Sequence, residues 1–326
     1  MVAVTQAQEE QRLAPAEAGQ LAATWRRYRK HKLGLVGLAI LALLMVSVIV
    51  VPIISPFTYD GINEAIPFQP AGSVSMLNGH TYWLGTDEVG RDNFTRLFYA
   101  GRISLAVGLI TTVFVVIIGS AVGALAGYYG GFTDTALMRV VDLLLSLPVL
   151  PILLVLSQMV NKSGVMDRIF GKGLSTVVTI ILVLTLLGWM PISRLVRGSI
   201  LSLRSLDFVE ASRALGASNR HIIMRHLMPN SAAPLIVAAT LSVGAFIITE
   251  AFLSFLGLGI QAPTPSWGNL LQGAQEYSSF ITDVNPAKEI RGYLILFPGL
   301  LILLTVLSIN FMGDALRDAL DPRLKM

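Results

Sequence analysis

The sequence predicts an all-α membrane protein with six transmembrane helices, and three observations carry that prediction. Hydrophobic residues make up 54% of the 326 residues and charged residues only 13%, which is about half the charged fraction of a typical soluble domain. Six apolar runs are long enough to cross a bilayer, for which roughly 20 residues are needed. These runs are about twice the length of a barrel strand, and a helix satisfies its backbone groups within one segment.

The elements follow in order along the chain. Residues 1–33 form a polar, alanine-rich tail that ends in a basic cluster, and residues 34–54 form the first span. Residues 55–103 lie outside the bilayer, because glycines and charged side chains interrupt them. Residues 104–313 hold spans two to six, and residues 314–326 form the C-terminal tail. The six apolar runs lie at residues 34–54, 104–127, 137–160, 174–192, 231–258 and 294–313.

The distribution of charge orients these spans. With the N-terminal tail in the cytoplasm, six crossings place the C-terminal tail there as well, and 16 of the 24 Lys and Arg then lie on the cytoplasmic side. This agrees with the positive-inside rule, so we expect both termini in the cytoplasm. The net charge of +4 therefore reflects topology. No nucleic-acid partner is expected, because the basic cluster of the tail directly abuts a membrane helix.

A charged loop, residues 207–230, interrupts the apolar segments on the cytoplasmic side. Residues 208–215 can form two helical turns, and Gly216 can stop them in a left-handed conformation. Ser218 can cap a second helix, which Pro229 limits. The sequence therefore predicts a helix, a turn and a second helix at a cytoplasmic surface, and we call residues 207–230 the two-helix loop.

The two-helix loop resembles the EAA signature of binding-protein-dependent ABC importer permeases. Only Ser212 departs from the signature, since alanine is usual at that position. In that family a cytoplasmic coupling loop, here residues 193–230, docks into a groove on an ATPase subunit. The alternative is an ordinary basic cytoplasmic loop. The resemblance implies that the ATPase-coupling residues are Glu210, Ala211, Ser212, Gly216, Ile222, Ile223, His226, Leu227, Pro229 and Asn230.

Two further groups of residues narrow the resemblance. Residues 84–87, 90–92 and 101–105 are similar to a segment of the C-type permeases of dipeptide and oligopeptide importers. Residues 250–259 and 262–268 are similar to another hallmark of that subfamily. The resemblance covers nearly the whole chain between the two tails. It implies the six-helix fold of a type I ABC importer permease, and the second, C-type permease subunit of the dipeptide/oligopeptide/nickel branch.

The resemblance also implies a working assembly. The chain would pair with a second homologous permease, two ATPase subunits and an extracytoplasmic solute-binding protein. The ATPase subunits would bind ATP and Mg, whereas this chain would bind no cofactor and would not be an enzyme. The implied location is the cytoplasmic (inner) membrane of a bacterium or archaeon.

Peptide is the expected substrate, because di- and oligopeptide import is the commonest role of this branch. Relatives with the same motifs carry nickel, glutathione or oligosaccharides, so these are the alternative cargo of the same architecture. A secondary transporter would need intramembrane carboxylates or broken helices in paired halves, and no second half is visible in the sequence. A passive channel would not explain the two-helix loop.

Local patterns argue against chemistry on this chain. Gly171-Lys172-Gly173 is not a phosphate-binding loop, because Met166 stands where the first glycine belongs and no Ser or Thr directly follows the lysine. His221 and His226 are close in sequence, but their spacing of five places them on different faces of an α-helix. No metal site is therefore expected. The absence of cysteine excludes disulfides and thiolate sites.

Glu250 stands out because ionisable residues are almost absent from the deep parts of the predicted spans. It falls in the outer half of the fifth span, where a lipid-exposed carboxylate would cost about 2–4 kcal/mol. We therefore expect the side chain to face protein or a wet cavity. It either lines the translocation path or gate, or bonds a neighbouring helix.

Small residues and prolines shape the spans. Pro148 and Pro151 are expected to interrupt the third span, and Pro191 is expected to end the fourth. Two overlapping GxxxG spacings in the second span predict close packing of helix backbones. This packing is either a sliding seam used during opening or a static contact. The residues of the spacing, which we call the glycine seam, are Gly119, Gly123 and Gly127.

Overall fold

The computed structural model describes residues 22, 24–62, 66–279 and 293–320, most of which are helical. Residues 1–21 of the predicted N-terminal tail and 321–326 of the C-terminal tail lie outside the described residues. A π-helical segment, Ile222–Leu227, joins α8 to α9, and strands β1 (Ser73–Val74) and β2 (Thr81–Tyr82) pair antiparallel. The helices are α1 (Lys32–Ile54), α2 (Asn93–Tyr129), α3 (Gly131–Leu145), α4 (Val149–Ser163), α5 (Val165–Phe170), α6 (Lys172–Leu203), α7 (Asp207–Ala214), α8 (Asn219–His221), α9 (Met228–Asn230), α10 (Ala232–Phe255), α11 (Trp267–Ser279) and α12 (Tyr293–Leu320).

The predicted all-α membrane fold is confirmed. Among the described residues, five helices are long and apolar enough to cross a membrane. Helices α3 and α4 pass the same criterion together and bend by 86° at the break between them, so they supply a sixth crossing if they form one broken span. The five unbroken spans are Lys32–Ile54, Asn93–Tyr129, Gly173–Leu203, Ala232–Phe255 and Tyr293–Leu320.

The break between α3 and α4 lies where the prolines predict it. Helix α3 ends at Leu145, and Pro148 then stands in an extended conformation directly before α4. The residue before a proline is disfavoured in the helical region, which favours a break of the third span at this point. Pro151 lies within the first turn of α4, where its missing N–H has no helical partner to lose.

The expectation that Pro191 ends the fourth span is wrong. Helix α6 contains Pro191 and continues to Leu203, so residues 193–203 of the predicted coupling loop are helical. A proline in a helix interior costs roughly 3 kcal/mol, but neighbouring helices in a membrane can compensate for the backbone bond that it removes. Here α6 packs along α2 on both sides of the proline, through Trp189 before it and Ile192 and Ile200 after it.

The glycine seam brings the backbones of α2 and α6 together. A Cβ atom added to Gly119 would lie 2.7 Å from the carbonyl oxygen of Trp189, and one added to Gly127 would lie 2.9 Å from that of Arg197. Gly123, between them, is equally close to α6. Any side chain at these positions would push the helices apart. The close packing therefore matches the GxxxG spacing, whereas sliding along the seam stays a prediction.

Helix α1 packs against α12, so the first and last described helices are neighbours. Gly34 is so close to Ala315 that a side chain at Gly34 would overlap it. Residues 24–28, ahead of α1, are helical, and Tyr28 is buried against Ala315 and Ala319. The Tyr28 hydroxyl donates to the carbonyl oxygen of Gly34 at 3.0 Å. The start of α1 and the end of α12 therefore lie on the same side of the helix bundle, as an even number of crossings requires.

The segment between α1 and α2 folds onto the adjacent ends of both helices. Ser55 and Thr95 hydroxyls lie 2.5 Å apart, and the Arg102 Nε donates to the carbonyl oxygen of Val48 at 2.5 Å. Asp92 caps α2 by accepting from the Thr95 backbone N–H at 2.7 Å. Burial raises the pKa of the Asp92 carboxyl, although the Thr95 hydroxyl and backbone N–H oppose that rise.

Candidate coupling site and buried carboxylate

The first helix of the two-helix loop and its turn form as the sequence predicts. Helix α7 spans Asp207–Ala214, and Gly216 follows with φ of 81°. The Gly216 N–H donates to the Arg213 carbonyl and the Ala217 N–H to the Ser212 carbonyl, at 3.0 and 3.1 Å. These bonds satisfy carbonyls at the end of the helix, in the manner of a Schellman turn. The Ser218 hydroxyl then accepts from the His221 N–H at 3.3 Å, so the predicted cap is present.

The second helix of the loop differs from the expectation. Ile222–Leu227 is π-helical, and the Met228 N–H donates to the carbonyl of Ile223, five residues earlier. Pro229 has no N–H, and its ring would clash with the carbonyl four residues before it in an α-helix. The wider π turn ahead of Pro229 relieves that clash. The chain leaves the helix at Ser231, so the predicted limit at Pro229 is displaced by two residues.

The π-helical segment brings His221 and His226 side by side, with ring centroids 5.6 Å apart. The expectation that a spacing of five separates them is therefore wrong, because that expectation assumed an α-helix. His226 also reaches α7, where its Nε2 lies 3.2 Å from the Ser212 hydroxyl. No group of three His, Asp or Glu side chains that could hold a metal occurs in the described part of the chain.

The coupling residues of the sequence analysis divide between two faces. The inner face is buried against Val196 and Ile200 of α6 and against Tyr128 of α2. The outer face exposes Glu210, Ala211, Pro229 and Asn230, with the turn at Gly216 between the helices. Ser212 and His226 are half-buried between the two faces. The residues that form the inner face are Val209, Ile222, Ile223 and Leu227.

Apolar side chains on the outer face enlarge the surface that a partner could cover. Leu215 is 89% exposed beside the turn, and Met224 on the π-helical segment is 64% exposed. Met224 also lines a shallow cleft, together with Ser218, His221 and other residues of the second helix. A surface that combines exposed apolar side chains with Glu210 and neighbouring arginines is suited to binding another protein.

Tyr128 anchors the loop to α2, and the sequence analysis did not single it out. Its hydroxyl donates to the Asn219 side-chain oxygen at 2.8 Å, and the guanidinium of Arg213 lies 5.8 Å from its ring centroid. Arg204, just after α6, donates to the carbonyl oxygen of Gly127 at 2.9 Å. Tyr128 follows the last glycine of the seam, and its position there was the only sequence signal for this contact.

Ion pairs fasten the bent helix α3 to α6. Arg197 donates from Nη2 to the Asp134 carboxylate at 2.7 Å and also contacts it through Nε. This bidentate geometry gives a charge-assisted pair. Arg194 forms a second pair with Asp142 at a more exposed position. The half of the broken span nearest the loop is therefore tied to the helix that carries the loop.

Glu250 is fully buried in α10 and accepts two hydrogen bonds. The Ser104 hydroxyl of α2 donates to it at 2.8 Å, and the Ser254 hydroxyl donates at 2.7 Å. Ser104 in turn accepts from the Trp267 backbone N–H at 3.2 Å, and Ser254 accepts from the Ile260 N–H at 3.0 Å. The expectation that Glu250 faces protein rather than lipid therefore matches its surroundings.

These contacts unite segments that the sequence analysis quoted separately. Residues 101–105 supply Ser104, residues 250–259 supply Glu250 and Ser254, and residues 262–268 supply Trp267. Glycine makes the junction possible, since a Cβ on Gly268 would overlap the backbone of α10. Of the two roles open for Glu250, bonding to a neighbouring helix is the one seen here. A role in the path or gate stays a prediction.

A cavity of about 230 Å³ lies at the end of the bundle where α2 begins. Its walls include Asp87, Arg91 and Arg96 at the start of α2, and Phe297 of α12. Arg91 and Arg96 approach the Asp87 carboxylate at 2.6 and 3.6 Å, and Arg91 also lies 3.7 Å from the Glu88 carboxylate. Two guanidinium groups therefore face two carboxylates on this wall, and their charges balance. Glu250 is not among the lining residues of this cavity.

The chain combines a bundle of membrane-crossing helices with a two-helix loop, whose inner face is buried against the bundle and whose outer face is exposed. This is the architecture of a transport permease subunit. The chain belongs to the family described as binding-protein-dependent transport system inner membrane component, which matches residues 119–326. Residues 19–71 match a second family, described as the N-terminal TM domain of oligopeptide transport permease C. These matches confirm the resemblance that the sequence motifs indicate.

Individual relatives and one solved structure agree with this assignment. The chain is 38% identical over 301 residues to the dipeptide transport system permease protein DppC of Bacillus subtilis (strain 168), covering 92% of this chain and 85% of the relative. It is 37% identical over 307 residues to the glutathione transport system permease protein GsiD of Pectobacterium atrosepticum, covering 92% and 90%. A chain of the inward-facing MetNI methionine ABC transporter superposes with a TM-score of 0.52 at 22% identity, covering 69% of this chain and 97% of that chain. The superposition supports the type I ABC importer fold.

Proposed function

We propose that this chain is one permease subunit of an ATP-driven importer of di- or oligopeptides. The observation that carries the proposal is the two-helix loop, whose inner face is fixed to α2 and α6 and whose outer face is exposed. The names of the relatives support the cargo, since one of them is a dipeptide permease and another is an oligopeptide permease. Nickel, glutathione and oligosaccharides are the less favoured cargo of the same architecture.

The proposed assembly contains a second homologous permease, two ATPase subunits and an extracytoplasmic solute-binding protein. ATP and Mg bind to the ATPase subunits, and this chain takes no part in hydrolysis. The assembly lies in the cytoplasmic (inner) membrane, with both termini and the two-helix loop on the cytoplasmic side. The packing of residues 24–28 on the end of α12 supports a common side for the two ends.

Motion would pass from the ATPase subunits through the loop into the bundle. Binding of ATP closes the ATPase subunits, and the outer face of the loop moves with the groove that holds it. Because Tyr128 and Arg204 connect the loop to the end of α2, that helix moves with the loop. The glycine seam then allows α2 and α6 to shift, and the bundle opens outward to accept peptide. Hydrolysis restores the inward-facing state. The contribution of the permease is a packing of its helices that differs between the two states.

Glu250 is proposed to act at the outer gate. Its carboxylate holds α2, α10 and the segment before α11 together through Ser104 and Ser254. Outward opening separates elements on this side of the bundle, so a buried polar junction here would set the relative stability of the closed state. Buried polar groups are stable only while their partners remain in place.

Uptake by the reconstituted assembly tests the proposed function. The chain is expressed with its second permease and ATPase subunits, placed in proteoliposomes, and given binding protein on the outer side. We expect ATP-dependent accumulation of radiolabelled dipeptide, and none of Ni²⁺ or an oligosaccharide. Accumulation of Ni²⁺ alone would retain the importer and refute the peptide cargo. Dipeptide accumulation that is independent of ATP would refute the importer itself.

A further inference from the structure

The hairpin of β1 and β2 carries apolar side chains that the described fold leaves exposed. Tyr82 faces inward and is fully buried, with its ring stacked on Phe57 at 4.6 Å between centroids. In the turn between the strands, Met76 is 87% exposed and Leu77 is 74% exposed. Trp83, directly after β2, is 69% exposed. Three large exposed apolar side chains on one small hairpin, two in its turn and one directly after β2, are more than a soluble segment would normally carry.

The sequence around the hairpin also lacks charge. Residues 65–86 contain no Asp, Glu, Lys or Arg, although charged residues are frequent directly before and after this stretch. His80 is its only titratable side chain apart from Tyr82. A hairpin surrounded by water is usually protected by charged residues at its edges. An uncharged hairpin with exposed Met, Leu and Trp has instead the composition of a segment that enters the membrane interface.

The fold holds the hairpin at the end of a transmembrane helix. Helix α1 ends at Ile54, and the last two residues of its lipid-facing surface, Ile53 and Ile54, are both exposed. Phe57 comes three residues later and contacts β2 through Tyr82 and, at 6.2 Å between ring centroids, the turn residue His80. Strand β2 and the turn residue His80 therefore pack against Phe57, which lies at the boundary of the bilayer.

The chain after α1 stays at the level of the bilayer boundary. Tyr59 stacks on Tyr99 of α2 with ring centroids 4.0 Å apart, and the Arg96 guanidinium donates to the Tyr59 carbonyl oxygen at 2.8 Å. One turn below Tyr99, Arg102 bonds the carbonyl oxygen of Val48 within α1. Tyr59 thus returns to the level of the last turns of α1, and Phe57 lies close to the same level.

We propose that Met76, Leu77 and Trp83 form a membrane anchor that lies in the interface between lipid headgroups and acyl chains. The occupant of this surface is the outer leaflet of the bilayer, in continuity with the lipid-facing end of α1. Trp suits this position because its ring is apolar and its indole N–H can remain with the headgroups. Met and Leu on the turn provide apolar area that water would otherwise surround.

Fluorescence of a single attached probe tests the anchor. The chain has no cysteine, so Met76→Cys can carry one environment-sensitive NBD group without background. Ile53→Cys provides a lipid-exposed reference, and Leu215→Cys, 89% exposed on the turn of the two-helix loop, provides a solvent reference. Each variant of the full chain is placed in nanodiscs with and without lipids that carry a doxyl quencher near the headgroup.

We expect the probe at position 76 to emit at shorter wavelength than the probe at 215, and to be quenched by the doxyl lipid about as strongly as the probe at 53. Leu77→Cys should repeat this result, which guards against a local effect of one substitution. Emission and quenching like those at position 215 would overturn the proposal. A blue shift without lipid quenching would also overturn it, because the hairpin would then be covered by protein rather than by the bilayer.

Discussion

The Ser212 hydroxyl lies 3.2 Å from Nε2 of His226, and this contact joins the two helices of the two-helix loop. The π turn of Ile222–Leu227 places His226 there, against both Ser212 and Phe208. Ser212 is also the residue at which the chain departs from the EAA signature. Serine at this position therefore gives His226 a hydrogen-bonding partner, which alanine could not provide.

Replacing Ser212 with alanine should weaken the link between the two helices. We expect Ser212→Ala to assemble normally and to lose about 1 kcal/mol at this contact, the usual contribution of a hydrogen bond. The ratio of peptide imported to ATP hydrolysed in proteoliposomes should fall. Ser202→Ala is the matched control, because Ser202 is exposed and bonds only to its own helix at Ser199. An equal fall in both variants would contradict a role for the His226 contact.

Tyr128→Phe removes one hydroxyl and tests whether α2 follows the loop. The variant loses the hydrogen bond to Asn219 but retains the ring beneath Arg213. We expect ATPase assembly to be unchanged and peptide uptake to fall severalfold, since about 1 kcal/mol of the connection is lost. Tyr129→Phe changes the adjacent, exposed ring and should transport like the wild type. Normal uptake by Tyr128→Phe would show that motion reaches the bundle by another route.

Gly216 tests the turn of the loop through its backbone conformation. No described atom lies within 4 Å of a Cβ added there, but φ is 81°, so a substitution meets backbone strain and no steric overlap. Gly216→Val should cost roughly 1–2 kcal/mol and reduce the amount of ATPase that co-purifies. Gly216→Asn is the control, because Asn adopts left-handed conformations more readily. If Val and Asn assemble equally well, the turn does not set the shape of the ATPase contact.

The Glu250→Gln variant tests whether Glu250 acts at a gate or only holds neighbouring helices together. Gln has nearly the same volume and can still bond Ser104 and Ser254, because serine hydroxyls both donate and accept. We expect the variant to insert into the membrane normally and to change the ratio of peptide imported to ATP hydrolysed. Ser104→Ala serves as a comparison that loosens the same junction but retains the carboxylate. A Gln variant with lowered thermal stability and unchanged transport would leave Glu250 with a structural role only.

Accessible cysteines test the orientation of the spans. Membrane-impermeant thiol reagent added to intact cells should label Ala71→Cys and spare Leu215→Cys, which lies on the exposed turn of the two-helix loop. Permeabilised cells provide the control, since both positions should then react. Labelling of Leu215→Cys in intact cells would contradict the proposed cytoplasmic position of the loop.

Much of the fold follows from local sequence, and the exceptions have physical causes. Apolar run length predicts the spans, and Pro148 predicts the break after α3, because each effect acts within a few residues. The prediction from Pro191 is wrong because the packing of α6 on the glycine seam compensates for the backbone hydrogen bond that the proline removes. The π turn before Pro229 depends on a balance between proline sterics and burial of Ile222 and Leu227, which periodicity alone does not reveal.

The site is less predictable than the fold for the same reason. The cap at Ser218 and the turn at Gly216 are local and follow from residue type. The bond between Ser104 and Glu250 spans 146 positions, and that between Tyr128 and Asn219 spans 91. Such pairs depend on how distant helices pack. The motif segments predicted that these regions belong to functional parts of the chain. Only the fold shows that three of the segments meet at the Glu250 carboxylate.

The packing of Gly34 on Ala315 has a consequence for how the chain is made. Ala315 follows Gly34 by 281 positions, and synthesis proceeds at roughly 5–20 residues per second. The first helix therefore enters the bilayer on the order of tens of seconds before its partner leaves the ribosome. During that interval something other than α12 must cover the small-residue face that α12 later occupies. The contact between the two helices can therefore form only after α12 has been made, and a nascent chain that stops short of α12 would leave the glycines of the first helix without the neighbour that they contact in the folded protein.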